Sequence, residues 1–245
     1  MSPGAAAGQT MRAQFYQGAR PRHEGARRPD AVADIMRNRL LMGAMALALA
    51  LAAPGAPVAQ TRANPLLAGA DLLAALRAGG YILYFRHADT DWSQKDTPGM
   101  NFDDCAVQRN LADKGREHAR QIGDAIRALG IPIGPVLASP LCRTMETAAL
   151  AFGRADKTPA VVERRGAPST PEHYAALRTL LSTPVAPGAS TVIVGHAYPY
   201  YTLVGGQYLE EGEADVVRPR GADFEVVARV GLKQWRDLAT APAGR

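Results

Sequence analysis

The sequence of 245 residues contains only two cysteines, and aromatic residues make up only 6% of it. Two cysteines allow at most one intramolecular disulfide, which excludes a disulfide-rich scaffold. Histidine and cysteine do not cluster with the spacing of a zinc site, so neither a metal nor another cofactor is expected. Beyond the N-terminal region, no apolar run is long enough to span a membrane, and no repeat of fixed period is present. With 47% hydrophobic residues, the chain is expected to form a soluble globular protein.

Residues 36–59 have the pattern of a secretory signal peptide. Two arginines precede an uncharged run of 14 residues from Leu40 to Ala53, and Pro and Gly residues follow it. This run is shorter than the roughly 20 apolar residues that a transmembrane helix needs. We therefore expect export, to the periplasm, with cleavage between Ala53 and Ala63. An uncleaved membrane anchor is the alternative.

Residues 1–35 are rich in Arg, Ala, Gly and Pro and lack apolar periodicity. Because Met36 would begin an ordinary signal peptide, we expect residues 1–35 to be a non-native or disordered extension; a long basic leader is the alternative. Residues 1–59 hold seven of the 28 Lys and Arg and three of the 23 Asp and Glu, which leaves 21 basic and 20 acidic side chains, a net charge of +1. This balance favours neither nucleic-acid binding nor, once the signal is removed, membrane association.

Residues 64–240 are predicted to form a single domain in which strands and helices alternate. The predicted strands are Tyr81–Phe85, Pro135–Ala138, Ala160–Glu163, Thr191–Val194, and an antiparallel pair at Val216–Val217 and Phe224–Val230. Four helices are predicted, and three of them span Asp71–Ala78, Asp113–Leu129 and Pro171–Leu181. The fourth begins with Ser139 as N-cap and Pro140 as its first residue. Asp113 is the predicted N-cap of the helix that it opens. The alternation predicts a three-layer α/β/α sandwich with a mostly parallel central sheet.

Reactive side chains follow three of the apolar strands. The first strand runs into Arg86 and His87, the second into a segment that contains Arg143, and the fourth into His196. Ligands of open α/β sheets bind beyond the carboxyl ends of the strands. We therefore expect two arginines and two histidines to gather at one edge of the sheet.

The segment YFRHADT at residues 84–90 resembles the Arg-His-Gly-x-Thr signature of the histidine phosphatase superfamily, with Ala88 in place of Gly and Thr90 matching the Thr. The segment SPLCRTMETA at 139–148 is similar to the family's Ser-Pro-x-x-Arg-Thr-x-x-Thr-Ala, NLADKGR at 110–116 to its Leu-Thr-x-x-Gly segment, and VGH at 194–196 to its late Gly-His. The motifs follow the family order over roughly residues 72–230. The chain is identified as a compact, exported member of bacterial type with a phosphoglycerate-mutase-like fold.

The resemblance implies a phosphate pocket made of Arg86, His87, Arg143 and His196, in which His87 becomes phosphorylated and Thr90 contributes to substrate binding. This chemistry is physically sound. A neutral imidazole can attack with one nitrogen while the other is held as N–H, and guanidinium groups bind phosphate oxygens without losing their charge. The expected reaction is phosphomonoester hydrolysis of a small phosphorylated substrate, without a cofactor.

The general acid is predicted less directly than the phosphate pocket. Relatives use a Glu between the second Arg and the second His, an interval that contains Glu163 and Glu172. Glu211 and Glu213 precede the strand after His196, and Asp89 adjoins the signature. Of these carboxylates, Glu211 is the predicted acid.

The family's loop after the nucleophile returns near the pocket, which predicts a disulfide between Cys105 in that loop and Cys142 beside Arg143.

Two alternatives to a hydrolase stay open. A phosphoglycerate-mutase-type phosphotransferase would use the same residues, but the 52 residues between Arg143 and His196 are too few for the mutase insertion. A non-catalytic phospho-ligand-binding protein is the second. Neither the substrate nor the oligomeric state can be read from the sequence.

Overall fold

A six-stranded sheet forms the centre of the protein, whose computed structural model describes residues 66–163 and 169–240. Its strands are β1 Ile82–Arg86, β2 Ile133–Ala138, β3 Asp156–Lys157, β4 Ser190–Gly195, β5 Ala214–Pro219 and β6 Phe224–Val230. They lie in the order β3-β2-β4-β1-β5-β6, parallel from β3 to β1 and antiparallel for β5 and β6. The prediction of a mostly parallel sheet is confirmed. The predicted segments 1–35 and 36–59 lie outside the described residues.

Helices cover both faces of the sheet. They are α1 Gly69–Ala78, α2 Asp113–Ala128, α3 Cys142–Phe152, α4 Ala175–Ser182, α5 Ala197–Val204 and α6 Leu232–Thr240. Leu83 and Phe85 pack in one core with α1, α2, α3 and α6, and Ile82 and Tyr84 pack in the other with α4 and α5. This alternation is what a strand buried on both faces requires. The three-layer sandwich is therefore confirmed. Within the described ranges, no helix has the length and apolarity of a membrane span.

Two predicted helix caps are wrong. Helix α3 begins at Cys142 with Leu141 as N-cap, and Ser139 does not cap it because its Oγ lies 3.0 Å from Nε2 of His196. Helix α2 has Ala112 as N-cap, and Asp113 is its first helical residue. The residues before α2 stay extended because they bond to the segment after β1, which prevents the helix from starting earlier.

The predicted strand at Ala160–Glu163 is also wrong. Its first half belongs to a 3-10 turn, Pro159–Val161, that follows the short β3. Pro159 has no N–H and cannot continue the sheet ladder, although the apolar Val161 is still buried. The helix predicted at Pro171–Leu181 opens as a 3-10 turn, Pro171–Tyr174, before α4. Helices α5 and α6 were not predicted from the sequence.

The predicted disulfide joins Cys105 to Cys142, with their Cα atoms 5.7 Å apart. Cys105 belongs to the long loop after β1, and Cys142 is the first residue of α3. The bridge therefore ties this loop to the helix that carries Arg143. It closes a ring that also contains α2 and β2.

Removing the bridge by the double substitution Cys105→Ser and Cys142→Ser is expected to lower the free energy of unfolding by about 3–4 kcal/mol. The reason is that a chain cross-linked across 37 residues has fewer unfolded conformations to gain. Guanidinium denaturation, with and without reductant, measures the effect. Reductant should destabilise the wild type and leave the double variant unchanged. Equal unfolding free energies for the oxidised wild type and the variant would contradict the prediction.

Candidate active site

The segments that follow β1, β2 and β4 meet at one edge of the sheet because these strands are neighbours and run in parallel. The N–H of His87 donates to the carbonyl of Gly195 (3.1 Å), which joins the end of β1 to that of β4. The imidazole rings of His87 and His196 have centroids 5.5 Å apart. The structure therefore brings together the strand-end histidines, as the topology argument predicted.

The His87 imidazole is held in one orientation inside the protein. Its residue is only 3% exposed, and Nδ1 lies 2.9 Å from the carbonyl oxygen of Ala88. Since a carbonyl can only accept, Nδ1 carries the hydrogen and Nε2 is the nitrogen with the free lone pair. Burial lowers the pKa of His87 well below its ordinary value, and the positive charge of Arg143 lowers it further. The ring is thus neutral at neutral pH, which is the nucleophilic form.

This lowered pKa has a measurable consequence for stability. Below about pH 6.5 the unfolded chain binds a proton at residue 87 that the folded protein does not, so the free energy of unfolding falls as pH falls. We expect the His87→Asn variant to lack this term, which amounts to about 1 kcal/mol between about pH 6 and pH 5. Denaturant unfolding at the two pH values measures it, with His173→Asn, whose side chain is exposed, as the matched control. The same pH dependence in wild type and His87→Asn would refute a neutral buried imidazole.

The backbone next to His87 is fixed to helix α3. The N–H of Ala88 donates to Oγ1 of Thr147 (3.1 Å), and the Thr147 hydroxyl donates to the carbonyl of Arg143 (2.7 Å). Ala88 stands where the family signature has Gly, and its side chain is fully buried against Leu111 and Ala119. The methyl group thus fills core space, and the nucleophile and Arg143 are held in a constant relation.

Arg143 is the second residue of α3 and is only 1% exposed. Its Nη1 donates to both carboxylate oxygens of Asp96 (3.1 and 3.3 Å) and, at 3.4 Å, to the carbonyl of Arg109. The Asp96 side chain is itself only 2% exposed, so the pair is a buried ion pair. Asp96 was missed at the sequence level, because it lies in no motif and comes from a loop 47 residues away in the chain.

Arg86 and Thr90 share a carboxylate, that of Glu211. Oε1 of Glu211 accepts from the Thr90 hydroxyl (2.8 Å) and from Nη2 of Arg86 (3.4 Å), while Oε2 accepts from the Thr90 N–H (3.2 Å). Arg86 also donates to the carbonyl of Leu209 (2.8 Å). Glu211 as acid and Thr90 as substrate ligand stay predictions. The contacts favour another arrangement, in which the side chain of Glu211 orients Arg86 and the signature loop.

His196 is buried and fixed by two contacts. Its Nε2 lies 3.0 Å from Oγ of Ser139, and its carbonyl accepts from the Tyr84 hydroxyl (2.9 Å). Ser139, predicted as a helix cap, therefore contacts the second histidine instead. Gly195 is required here because a Cβ at this position would collide with the ring and hydroxyl of Tyr84.

The other candidate carboxylates lie in different surroundings. Asp89 pairs with Lys114 (2.8 Å) and contacts Nδ1 of His118 (2.7 Å), and Glu213 accepts from the N–H of Glu210 (3.0 Å). Glu172 is an exposed residue whose pKa is lowered by a hydrogen bond from Thr170. Each of these three carboxylates is thus committed to a contact within its own neighbourhood.

Glu163 differs from them because it lies on the wall of a cavity that reaches Arg143. This cavity of about 400 Å³ is lined by Asp96, Thr97, Pro98, Gly99, Met100, Phe102, Leu141, Arg143, Val162 and Glu163. It is large enough for a small organic group, and most of its wall is apolar. Glu163 and Arg143 thus face one space, although their distance in sequence gives no sign of it.

Residues 82–165 match the histidine phosphatase superfamily (branch 1), and the matched range includes Arg86, His87 and Arg143. A search of the curated proteins finds no match. This match, over about a third of the chain, agrees with the resemblance to the histidine phosphatase superfamily that the motifs and their order carry.

Several solved structures are similar to this chain. The putative phosphohistidine phosphatase SixA from Agrobacterium tumefaciens is 17% identical, covers 62% of this chain and 98% of its own, and has a TM-score of 0.44. A phosphoserine phosphatase variant from Entamoeba histolytica in complex with phosphoserine is 14% identical over 63% of this chain and 98% of its own, with a TM-score of 0.45. A protein from Thermus thermophilus, TTHB049, is 20% identical over 62% and 99%, with a TM-score of 0.40.

Proposed function

We propose that this protein is a phosphomonoester hydrolase that works through a phosphohistidine at Nε2 of His87. The observation that carries the proposal is the state of His87: it is buried, its Nδ1 is held by the Ala88 carbonyl, and its pKa is lowered by burial and by Arg143. A histidine that is neutral and fixed in one tautomer beside a guanidinium suits nucleophilic attack on a phosphate.

In the first step, the Nε2 lone pair forms a bond to phosphorus while the bond from phosphorus to the leaving oxygen breaks. Arg86 and Arg143 neutralise the equatorial oxygens, and His196 donates a hydrogen bond to one of them. The leaving alcohol takes a proton from a carboxylic acid. In the second step, the same carboxylate takes a proton from water, whose oxygen forms a bond to phosphorus while the bond from phosphorus to Nε2 breaks. This step regenerates His87 and releases inorganic phosphate.

We assign the acid role to Glu163 in place of Glu211. Glu163 lies on the wall of the cavity next to Arg143, where the leaving group would sit. Both oxygens of Glu211 already accept hydrogen bonds from Thr90, and one also accepts from Arg86, so this carboxylate is engaged by the signature segment instead of facing the cavity that Glu163 lines. Glu211 then serves as a positioning residue that orients Arg86.

The acid assignment is tested by the dependence of the rate on the leaving group. Glu163→Gln should cost about 10²-fold on an alkyl phosphate and far less on p-nitrophenyl phosphate, whose leaving group needs no proton. Glu211→Gln should lower the rate on both substrates by a similar factor. If Glu211→Gln alone shows the selective loss on the alkyl phosphate, the original prediction of Glu211 as acid is restored.

The hydrolase is separated from its alternatives by following the phosphoryl group. With a radiolabelled phosphomonoester, a hydrolase forms an acid-labile, base-stable phosphoprotein and releases inorganic phosphate. A mutase-type phosphotransferase passes the label to an alcohol acceptor instead. A phospho-ligand-binding protein forms no phosphoprotein, which would refute the proposal. A panel of small phosphomonoesters then identifies the substrate class.

We also propose that the protein acts after export, in the periplasm. The pattern of residues 36–59 supports this proposal, and so does the disulfide, since such bridges persist in oxidising compartments. Sequencing the N-terminus of protein from its native host should find a start between Pro54 and Asn64. Recovery of residues 1–35 in the mature protein would refute export by this route.

A further inference from the structure

Arg109, which no motif marks, lies in a ribbon that borders the proposed phosphate pocket. Residues after β1 and before α2 pair antiparallel through a bridge between Thr90 and Leu111, and the N–H of Asp91 donates to the carbonyl of Asn110 (3.0 Å). The chain turns directly after this bridge, since the N–H of Gln94 donates to the carbonyl of Asp91 (3.1 Å) and Trp92 lies within that turn. Trp92 still contacts the other strand of the ribbon, because the Arg109 guanidinium carbon lies 3.9 Å from the centre of its ring.

The residue two positions before Trp92 contacts the proposed pocket. The Thr90 hydroxyl donates to Glu211, the carboxylate that also contacts Arg86. The turn that contains Trp92 thus begins directly after the segment that is bonded to the partner of Arg86.

The backbone of Arg109 is built into the other side of the same pocket. Its N–H donates to Oδ1 of Asp96 (2.8 Å), and its carbonyl accepts from Nη1 of Arg143 (3.4 Å). Residue 109 is thus bonded through its backbone to both members of the Arg143–Asp96 ion pair. The charge of Arg109 also contributes to lowering the pKa of His87, as expected for a guanidinium close to that ring.

We propose that Arg109 is a third phosphate-binding guanidinium of this site, and that Trp92 is the positioning residue that holds it there. Trp92 is 68% exposed and its ring stacks on the Arg109 guanidinium, so the indole can hold that side chain at the surface. Stacking a guanidinium on indole restricts the long arginine side chain through its flat face, whereas phosphate oxygens bind to the N–H groups at its edge. The inference rests on the proposed function, since it adds a ligand to the same phosphate pocket.

The test is the dissociation constant of inorganic phosphate, measured by calorimetry at low ionic strength on the disulfide-bonded protein. Arg109→Ala should weaken phosphate binding by about tenfold or more, the scale for a lost charge-assisted hydrogen bond. Alanine keeps the two backbone hydrogen bonds of residue 109, so the pocket should persist. Trp92→Ala should weaken binding by about threefold or more, and Trp92→Phe should restore it because an aromatic face is retained.

Arg178→Ala is the matched control. Arg178 also stacks on an aromatic ring, that of Phe224 (5.8 Å). Phe224 pairs with Pro219, at one end of β5. The other end of β5 carries Ala214, which pairs with Phe85, the residue before Arg86. Its loss should leave phosphate binding within about twofold of wild type. Phosphate binding by Arg109→Ala equal to that of Arg178→Ala would overturn the proposal. Equal weakening in Trp92→Ala and Trp92→Phe would overturn the positioning role of Trp92.

A second variant of Arg109 and a turnover assay cover the cases in which Arg109→Ala does not fold or the protein is not a hydrolase. If Arg109→Ala does not fold, as judged by thermal unfolding, Arg109→Lys replaces it, and binding as tight as wild type would then overturn a role for the planar guanidinium. Turnover of p-nitrophenyl phosphate by the wild type is measured separately. Arg109-dependent phosphate binding without turnover would sink the hydrolase and leave the inference standing. Turnover with Arg109-independent binding would do the reverse.

Discussion

Replacing His87 with Ala is expected to lower kcat/KM for p-nitrophenyl phosphate by roughly 10³-fold or more, the scale for losing a nucleophile. The expectation follows from where the imidazole lies. It is buried beside Arg143 with Nδ1 bonded to the Ala88 carbonyl, so water in the space left behind would have neither its orientation nor its lone pair. Steady-state kinetics on the purified mature protein measure the effect.

The matched control for this variant is His173→Ala, since His173 is an exposed histidine at a helix entry and follows none of the parallel strands. It should retain wild-type turnover. Thermal unfolding of His87→Ala at neutral pH should show a folded protein, so that the loss is chemical in origin. Activity of His87→Ala within about tenfold of wild type would refute the nucleophile, because no mechanism through this residue tolerates its removal.

Arg143→Ala is expected to have two separable effects. Turnover should fall by about 10²-fold or more, because a guanidinium that neutralises charge in the transition state is lost. Stability should fall by about 3–5 kcal/mol, because the Asp96 carboxylate, only 2% exposed, loses its guanidinium partner inside the protein. Kinetics and denaturant unfolding measure the two effects on the same samples.

A second substitution tells these effects apart. In the double variant Arg143→Ala with Asp96→Asn, the buried charge is removed, so much of the stability should return while turnover stays low. Arg229→Ala is the matched control, since Arg229 on β6 pairs with Asp215 on β5, and Asp215 is fully buried. It should destabilise the protein without the hundredfold loss of turnover. Recovery of turnover in the double variant would show that Arg143 acts only by neutralising Asp96.

Much of the fold could be predicted because its signals are local. The apolar run of β1, the amphipathic stripe of α2 and the alternation of strands and helices each depend on residues close together in the chain. The stripe residues Ala119, Ile122, Ile126 and Leu129 are all buried, as their spacing predicted. The errors fall where a contact from elsewhere overrides a local preference. Ser139 is a good helix cap by type, but its hydroxyl contacts the His196 imidazole instead.

The residues that follow each strand can be read along the chain, and parallel packing of those strands was enough to place His87, Arg143 and His196 at one edge. The amino-acid sequence also shows that Cys105 and Cys142 are the two thiols available to pair. The loop after β1 carries few apolar residues, so no periodicity predicts its path. Its return, which places Asp96 on Arg143 and Arg109 on Trp92, is known from the three-dimensional structure. These contacts join residues 17 or more positions apart through hydrogen bonds and charge, and such pairings leave no pattern in a single chain.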